Sequence, residues 1–263
     1  MKYSASIVLY QNDFEELILT IRDLLKCENL KTLYLIDNSI DDRLKYRLED
    51  FSDKINYIFL NKNIGFGSGH NLAIKKACEA GYLIHLIVNP DIRIEKPNDL
   101  ELLVTHLKGS KNCGLVVPRI IYPNGIKYPS IKLLPNPFIL LARRFLRFRV
   151  ILSLVNRYYE LNFNEKDEAV SIPRNSFASG CFFCVSIPTF NLVGGFDERF
   201  FMYMEDIDLC RKINTISEIH YISKCEVIHA HNKESYRNIR LLKIHLISAF
   251  KYFIKWWLLP KQK

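Results

Sequence analysis

Short apolar runs alternate with amphipathic stretches through the first half of the chain. Ala5–Leu9, Thr32–Ile36, Ile55–Leu60, Tyr82–Val88 and Cys113–Val117 read as strands, each bounded by polar or glycine-rich sequence. Between them, Phe14–Leu25 carries Leu17, Ile18, Ile21, Leu24 and Leu25 at helical spacing. Residues 41–50 read as a polar helix, and His70–Ala80 and Asp99–Lys108 as two more. This alternation predicts a mainly parallel α/β sheet with helices on both faces, which binds ligands at the carboxyl ends of its strands. Two polar clusters fall at such ends, Asp37-Asn38-Ser39 and Asn89-Pro90-Asp91.

The second half is densest in chemistry between residues 177 and 210. An apolar strand, Cys181–Ile187, follows Ser179-Gly180 and leads to the Gly194-Gly195 turn. Aromatics come next, and then Glu205, Asp206 and Asp208 at the start of a helix beginning near Met204. Acids among so many aromatics suit a partly buried site in which a carboxylate acts as a base. The same acids also suit the first turn of a helix simply as partners of its dipole.

Residues 61–71 lie between a strand and a helix and carry Gly65, Gly67 and Gly69. Glycines permit tight backbone turns, and the helix that follows offers free N–H groups to a diphosphate. A plain structural loop satisfies the pattern too. A nicotinamide-binding loop does not fit: His70 stands where the third glycine would be, and the loop follows the third strand rather than the first. Asp91 suits a hard cation such as Mg2+ or Mn2+ bridging to phosphates, or else a turn cap. His229 and His231 fall on one side of an extended segment and are candidates to complete a metal site.

Composition narrows these readings. The 263 residues, 49% of them hydrophobic, suffice for a large core. Ser6–Tyr10 reads as a strand rather than the apolar region of a signal peptide. Seven cysteines, an odd number in mostly apolar contexts, fit reduced thiols in a cytoplasmic protein. Cys181 and Cys184 lack a second pair at metal-ligand spacing. The net charge is +9, but residues 130–160 and 236–263 hold more than all of it, so the body is mildly acidic. That polarity implies an anionic partner surface. An acidic body would repel phosphates, so no nucleic acid is expected as partner.

Taken in order, Tyr10-x-Asn12, Asp37-Asn-Ser, Asn63-x-Gly65-Phe-Gly67-x-Gly-x-Asn71, Asn89-Pro-Asp91, Ser179-Gly180, the Gly194–Asp208 segment and a late histidine resemble the family 2 glycosyltransferases of the GT-A fold. The nearest branch is the rhamnosyltransferase-like enzymes of bacterial surface-polysaccharide assembly. The resemblance spans roughly residues 4–235. It implies a GT-A domain over 1–235, with a nucleotide-binding half (1–118) and an acceptor or catalytic half (119–235), followed by an amphipathic helix over 236–263.

By resemblance, Tyr10, Asn12, Asp37, Asn63, Gly65, Gly67, Asn71 and Asn89 bind the donor. Asp91 and His229 hold Mg2+ or Mn2+, Asp206 with Glu205 is catalytic, and Ser179, Gly180 and Asp208 lie on the acceptor side. Where many relatives have Asp-x-Asp, this chain has Asn89-Pro90-Asp91, one carboxylate fewer. The implied reaction is inverting transfer of a sugar, rhamnose favoured, from a nucleotide-diphosphate donor to a polyprenyl-diphosphate-linked oligosaccharide in O-antigen or capsule-type assembly. A UDP-hexose or UDP-N-acetylhexosamine donor is the alternative. A sugar nucleotidyltransferase would need a glycine-rich, lysine-containing loop after the first strand, and Tyr10-Gln-Asn-Asp-Phe14 offers none.

Tyr236–Leu259 has helical periodicity, with Ile239, Leu242, Leu246, Phe250, Phe253 and Trp257 on one face and Arg237, Arg240, Lys251 and Lys255 opposite. Its charges come too soon for a bilayer span. An interfacial helix is expected, its tryptophans at headgroup depth and its lysines on anionic lipid. Phe138–Arg149 reads the same way. Both are also compatible with packing on the sheet or in a homo-oligomer. The expected location is cytoplasmic, on the inner face of a bacterial plasma membrane.

Overall fold

The computed structural model describes residues 1–140, 149–163, 168–230 and 239–258, with side chains from residue 153 onward in the second stretch. Strands β1 (Tyr3–Leu9), β2 (Leu30–Asp37), β3 (Ile55–Phe59) and β4 (Ile84–Val88) pair in parallel in the spatial order β3-β2-β1-β4. The crossovers are α1 (Phe14–Leu25), a single turn α2 (Lys45–Leu48) and α3 (Phe66–Glu79). Helix α1 starts where Asp13 accepts from the N–H groups of Glu15 and Glu16, and it buries Leu17, Ile18, Ile21 and Leu24. The polar helix expected over 41–50 shrinks to α2 because only Leu44 and Leu48 find cover in the core.

The chain continues through β5 (Ile92–Arg93), α4 (Asp99–Gly109), β6 (Cys113–Ile121), β7 (Ile131–Leu133), α5 (Arg149–Tyr159), β8 (Val170–Ser171) and β9 (Ser176–Ala178). Then come β10 (Phe182–Ser186), α6 (Ile187–Leu192), α7 (Glu205–Ile216), β11 (Glu218–His229) and α8 (Ile239–Leu258). Among the described residues, one nine-stranded sheet runs β3-β2-β1-β4-β10-β6-β11-β5, with β8 on β11 and a separate β7-β9 pair.

Strand β10 enters antiparallel between β4 and β6, so the two halves of the sequence share one sheet. Its run Phe182–Val185 is fully buried because both faces are covered. Phe182 and Cys184 join the layer under α1 and α4, while Phe183 and Val185 join the layer under α3, α6 and α7. The sheet is therefore doubly wound, as the sequence pattern predicts. All seven cysteines are free thiols, and only Cys78 is exposed.

Helix α3 begins at Phe66, four residues before the expected start, so Gly67 and Gly69 lie inside its first turn. They are there for close packing. A Cβ on Gly67 would meet Phe196 Cβ at 2.8 Å, and one on Gly69 would meet a methyl of Val8 at 2.6 Å. Only Gly65, the N-cap, uses glycine's conformational freedom, at φ 93°.

Candidate active site

The carboxyl ends of β4 and β11 bring two distant residues together. Asp91 follows the turn after β4, and His229 is the last residue of β11. Asp91 Oδ2 lies 3.2 Å from His229 Nε2, and the Asp91 carbonyl accepts the Ala230 N–H at 3.1 Å. Burial disfavours a charge on His229, but the Cys181 sulfur and the Asp91 carboxylate beside it raise its pKa to about 10. The Tyr128 ring stands edge-on to His229 at 5.5 Å between centroids. His231, the expected second histidine, lies outside the described residues.

Ser179-Gly180-Cys181 is the seam of the site. Gly180 N–H donates to Asp206 Oδ2 at 3.0 Å, and the Cys181 carbonyl accepts Asn89 N–H at 2.9 Å. Ser179 N–H donates to the Ser130 carbonyl at 2.8 Å. Consecutive residues thus tie the Asp206 carboxylate to the strand end that carries Asp91. Gly180 must be glycine, since a Cβ there would meet Asp206 Cβ at 2.8 Å.

Two opposing effects act on Asp206 at the start of α7. Desolvation pushes its pKa up, while the Gly180 and Ile207 N–H groups and the Lys132 charge pull it down; burial wins. Burial thus more than offsets the downward pull of the helix N-terminus on this carboxylate. Glu205 beside it is buried, its pKa raised first by desolvation and then by Asp206, and its Oε2 has no partner among the described residues. Tyr203 and Met204, the two residues before this pair, both sit at φ 69°. Such left-handed geometry in non-glycine residues costs about 1–3 kcal/mol each and persists where surrounding packing imposes it. Gln11 and Asn61, which follow β1 and β3, show the same geometry.

The β2 end forms the other wall. Asp37 is buried, accepting Ser39 N–H at 2.9 Å on one oxygen and the Tyr57 hydroxyl on the other. Asn38 donates to Asn63 Oδ1 at 3.3 Å and to the Gly65 carbonyl at 3.1 Å. Asn63 in turn accepts the Gly65 N–H. Tyr10 is exposed at the rim, where its N–H donates to Asn12 Oδ1 at 2.8 Å.

Two residues expected at this site make their hydrogen bonds to other parts of the fold. Asn71 clamps the Gly194–Glu198 loop: its amide donates to the Phe196 carbonyl and to Glu198, and its oxygen accepts the Phe196 N–H. Asp208 is fully buried beneath α8 and accepts from Trp256 Nε1 and Lys255 Nζ, each at 2.8 Å. A cavity of 290 Å³ lined by Asn71, Lys75, Cys78, Phe190, Asn191 and Gly195 contains none of Asp37, Asp91 and Asp206.

Tyr57, Tyr128 and Lys132 also stand at the site, unmarked by the sequence reading, together with Cys181, which that reading weighed only as a zinc ligand. Of these, only Cys181 adjoins a sequence signal, Ser179-Gly180. The Asp91–His229 pair fits a divalent cation. A carboxylate with phosphate oxygens suits Mg2+ or Mn2+.

No protein-family model matches the chain. It is 27% identical to the low-salt glycan biosynthesis hexosyltransferase of Haloferax volcanii over 243 residues, 88% of this chain and 72% of that protein. It is 25% identical to the N-acetylglucosaminyl-diphospho-decaprenol L-rhamnosyltransferase of Mycobacterium tuberculosis over 221 residues, 78% of this chain and 68% of that protein. Among solved structures it resembles GalNAc-T7 with UDP, GalNAc and Mn2+, with a TM-score of 0.67 at 16% identity over 90% of this chain. It spans 44% of that longer chain. The fold is that of the GT-A glycosyltransferases, and its relatives make this chain a glycosyltransferase.

Proposed function

We propose that this GT-A glycosyltransferase moves a sugar, rhamnose in the favoured reading, from a nucleotide diphosphate to a polyprenyl-diphosphate-linked oligosaccharide, inverting the anomeric carbon. The observation that carries this reading is the Gly180-Cys181 seam, where consecutive residues hydrogen-bond the desolvated Asp206 carboxylate and the backbone of Asn89, two residues before Asp91. The rhamnosyltransferase relative acts on a decaprenol-linked substrate by its name, which supports the lipid-linked acceptor. A UDP-linked hexose or N-acetylhexosamine remains the second reading, because the GalNAc-T7 structure holds UDP and GalNAc.

In this mechanism Asp37, with Asn38 and Asn63, orients the nucleoside end. Gly65 and the first turn of α3 lie on the diphosphate side. A divalent ion on Asp91 and His229 would neutralise charge on the departing diphosphate. Asp206 takes the proton of the acceptor hydroxyl as that oxygen bonds to the anomeric carbon and the nucleotide diphosphate leaves. General-base catalysis of this kind contributes about 10²–10⁴-fold. The acceptor would be met at the inner face of a bacterial plasma membrane, and the apolar outer side of α8 supports that setting.

The test is a panel of nucleotide sugars (dTDP-rhamnose, UDP-glucose, UDP-N-acetylglucosamine, GDP-mannose) assayed with Mn2+ for donor hydrolysis and for transfer to a polyprenyl-diphosphate glycan. Asp206→Asn is expected to abolish transfer while keeping donor affinity, since it removes only the base. Asp91→Ala is expected to weaken nucleotide-diphosphate binding together with turnover. Turnover within a few-fold of wild type in Asp206→Asn moves the base elsewhere. Indifference of both chelated wild type and Asp91→Ala removes the metal from the mechanism.

A further inference from the structure

Far from these carboxylates, three chemistry-bearing side chains meet at the amino-terminal ends of β6 and β11. Cys113 opens β6, His220 lies near the start of β11, and His106 comes from the last turns of α4. His106 Nε2 and His220 Nδ1 are 2.7 Å apart, and a ring nitrogen of each histidine lies within 4.8 Å of Cys113 Sγ. Cys113 is buried, and both histidines are half-buried. His220 and His229 occupy opposite ends of one bulged strand; the β6 partners of His220 and Ile228, Val116 and Ile121, are five residues apart, so at about 3.3 Å per residue the cluster stands roughly 17 Å from the His229 end.

The geometry points to a second metal site, distinct from the sugar-transfer centre, in which His106 Nε2, His220 Nδ1 and Cys113 Sγ bind a zinc-like divalent cation. Two imidazoles and a thiolate are the donor types Zn2+ takes, at about 2.0–2.1 Å for nitrogen and 2.3 Å for sulfur. The outer contacts suit the role. Glu218 Oε2 accepts from His220 Nε2 at 2.8 Å, which fixes that tautomer and leaves the Nδ1 lone pair facing the cluster. Ser110 Oγ lies 3.3 Å from His106 Nε2, beside the position a fourth ligand or water would take.

Binding is balanced without a redox partner. The Cys113 thiol, which donates to the Leu115 carbonyl, loses its proton to solvent as the sulfur–metal bond forms. His106 moves its ring proton from Nε2 to Nδ1. The two nitrogens separate by roughly 0.5 Å to reach tetrahedral spacing. The ion would pin α4 to β6 and β11.

Metal-stripped full-length protein titrated with Co2+ tests this by absorption. One equivalent is expected to develop a thiolate-to-cobalt charge-transfer band with strong tetrahedral d–d bands, and Zn2+ should displace it. Cys113→Ser should erase the charge-transfer band, His106→Gln should erase binding at this site, and Asp91→Ala should change neither. Zn2+ should also raise the melting temperature of wild type and not of His106→Gln. Absence of a thiolate band, or its survival in Cys113→Ser, overturns the proposal; survival would put the sulfur ligand at Cys181, beside His229. If Cys113→Ser proves too unstable to measure, His106→Gln decides alone, being on a half-buried surface. A Glu218–His220–His106 hydrogen-bond relay without metal is then the whole role of the cluster.

Discussion

Glu205 is the residue whose environment most contradicts its chemistry. A buried carboxyl with a partnerless Oε2 and a charged neighbour in Asp206 is kept at a cost to the fold. Its folded pKa lies above that of the unfolded chain, so the destabilisation is full above the folded value and fades as pH falls toward about 4.3. Glu205→Gln should therefore raise the melting temperature at neutral pH, equivalent to about 1–3 kcal/mol, and the gain should vanish in acid. Thermal melts of both proteins across pH check this; a gain independent of pH would mean that ionisation is not the cause. At this scale the sequence exposed residue types but not their meetings. Asp91 and His229 each carried a signal and were paired only through the family resemblance; the fold puts them 3.2 Å apart. Asn71 and Asp208 are types equally fit for ligands and for clamps, and their partners Phe196, Lys255 and Trp256 lie far along the chain.

Among the elements, helix α8 departs furthest from its sequence pattern. Its lysines were expected on lipid, yet Lys255 is 14% exposed and pairs with Asp197 at 2.7 Å and with Asp208, while Lys251 donates to the Arg199 carbonyl. Ser248 and Tyr252 are buried against the body, Trp256 packs beside them, and Arg211 stacks on Trp256 at 4.0 Å. Helical periodicity finds the stripes but not which stripe faces inward, because a buried ion pair reverses the usual sorting. Asp208→Ala should take one of the two carboxylates from Lys255 and the acceptor from Trp256, loosening α8 at a cost of about 1–3 kcal/mol. Hydrogen exchange would register this as lost protection over 239–258. Unchanged protection with a raised acceptor KM would return Asp208 to the acceptor side. Helix α3 makes a similar point: glycines that read as a loop are helical because Phe196 and Val8 press against them.

For the whole molecule, the inward turn of Lys255 accompanies an apolar face turned outward. Ile239, Leu246, Ile247, Phe250, Ile254, Trp257 and Leu258 are exposed, Phe250 at 68% and Trp257 at 84%. No helix among the described residues is long and apolar enough to cross a membrane; the proposed docking on a membrane surface would use this exposed apolar face. The flanking cations Arg240 and Lys243 are described, whereas Arg143, Arg144, Arg147, Arg237, Lys261 and Lys263 lie outside the described residues. In the proposed membrane setting, insertion would rest on apolar side chains, with basic residues at the margin adding about 1 kcal/mol each on anionic lipid. Replacing Lys251 and Lys255 by glutamate is no test of this, since it would break the contacts that seat the helix. The informative change is Phe250→Ser with Trp257→Ser, which leaves Asp208, Lys255 and Trp256 untouched. That variant should keep its melting temperature and its donor hydrolysis, yet stop co-sedimenting with anionic vesicles. Transfer to a lipid-linked acceptor in those vesicles should fall with it, while transfer to a short water-soluble acceptor persists. If the variant still binds vesicles but a wild-type oligomer dissociates, the face joins two copies of the chain instead.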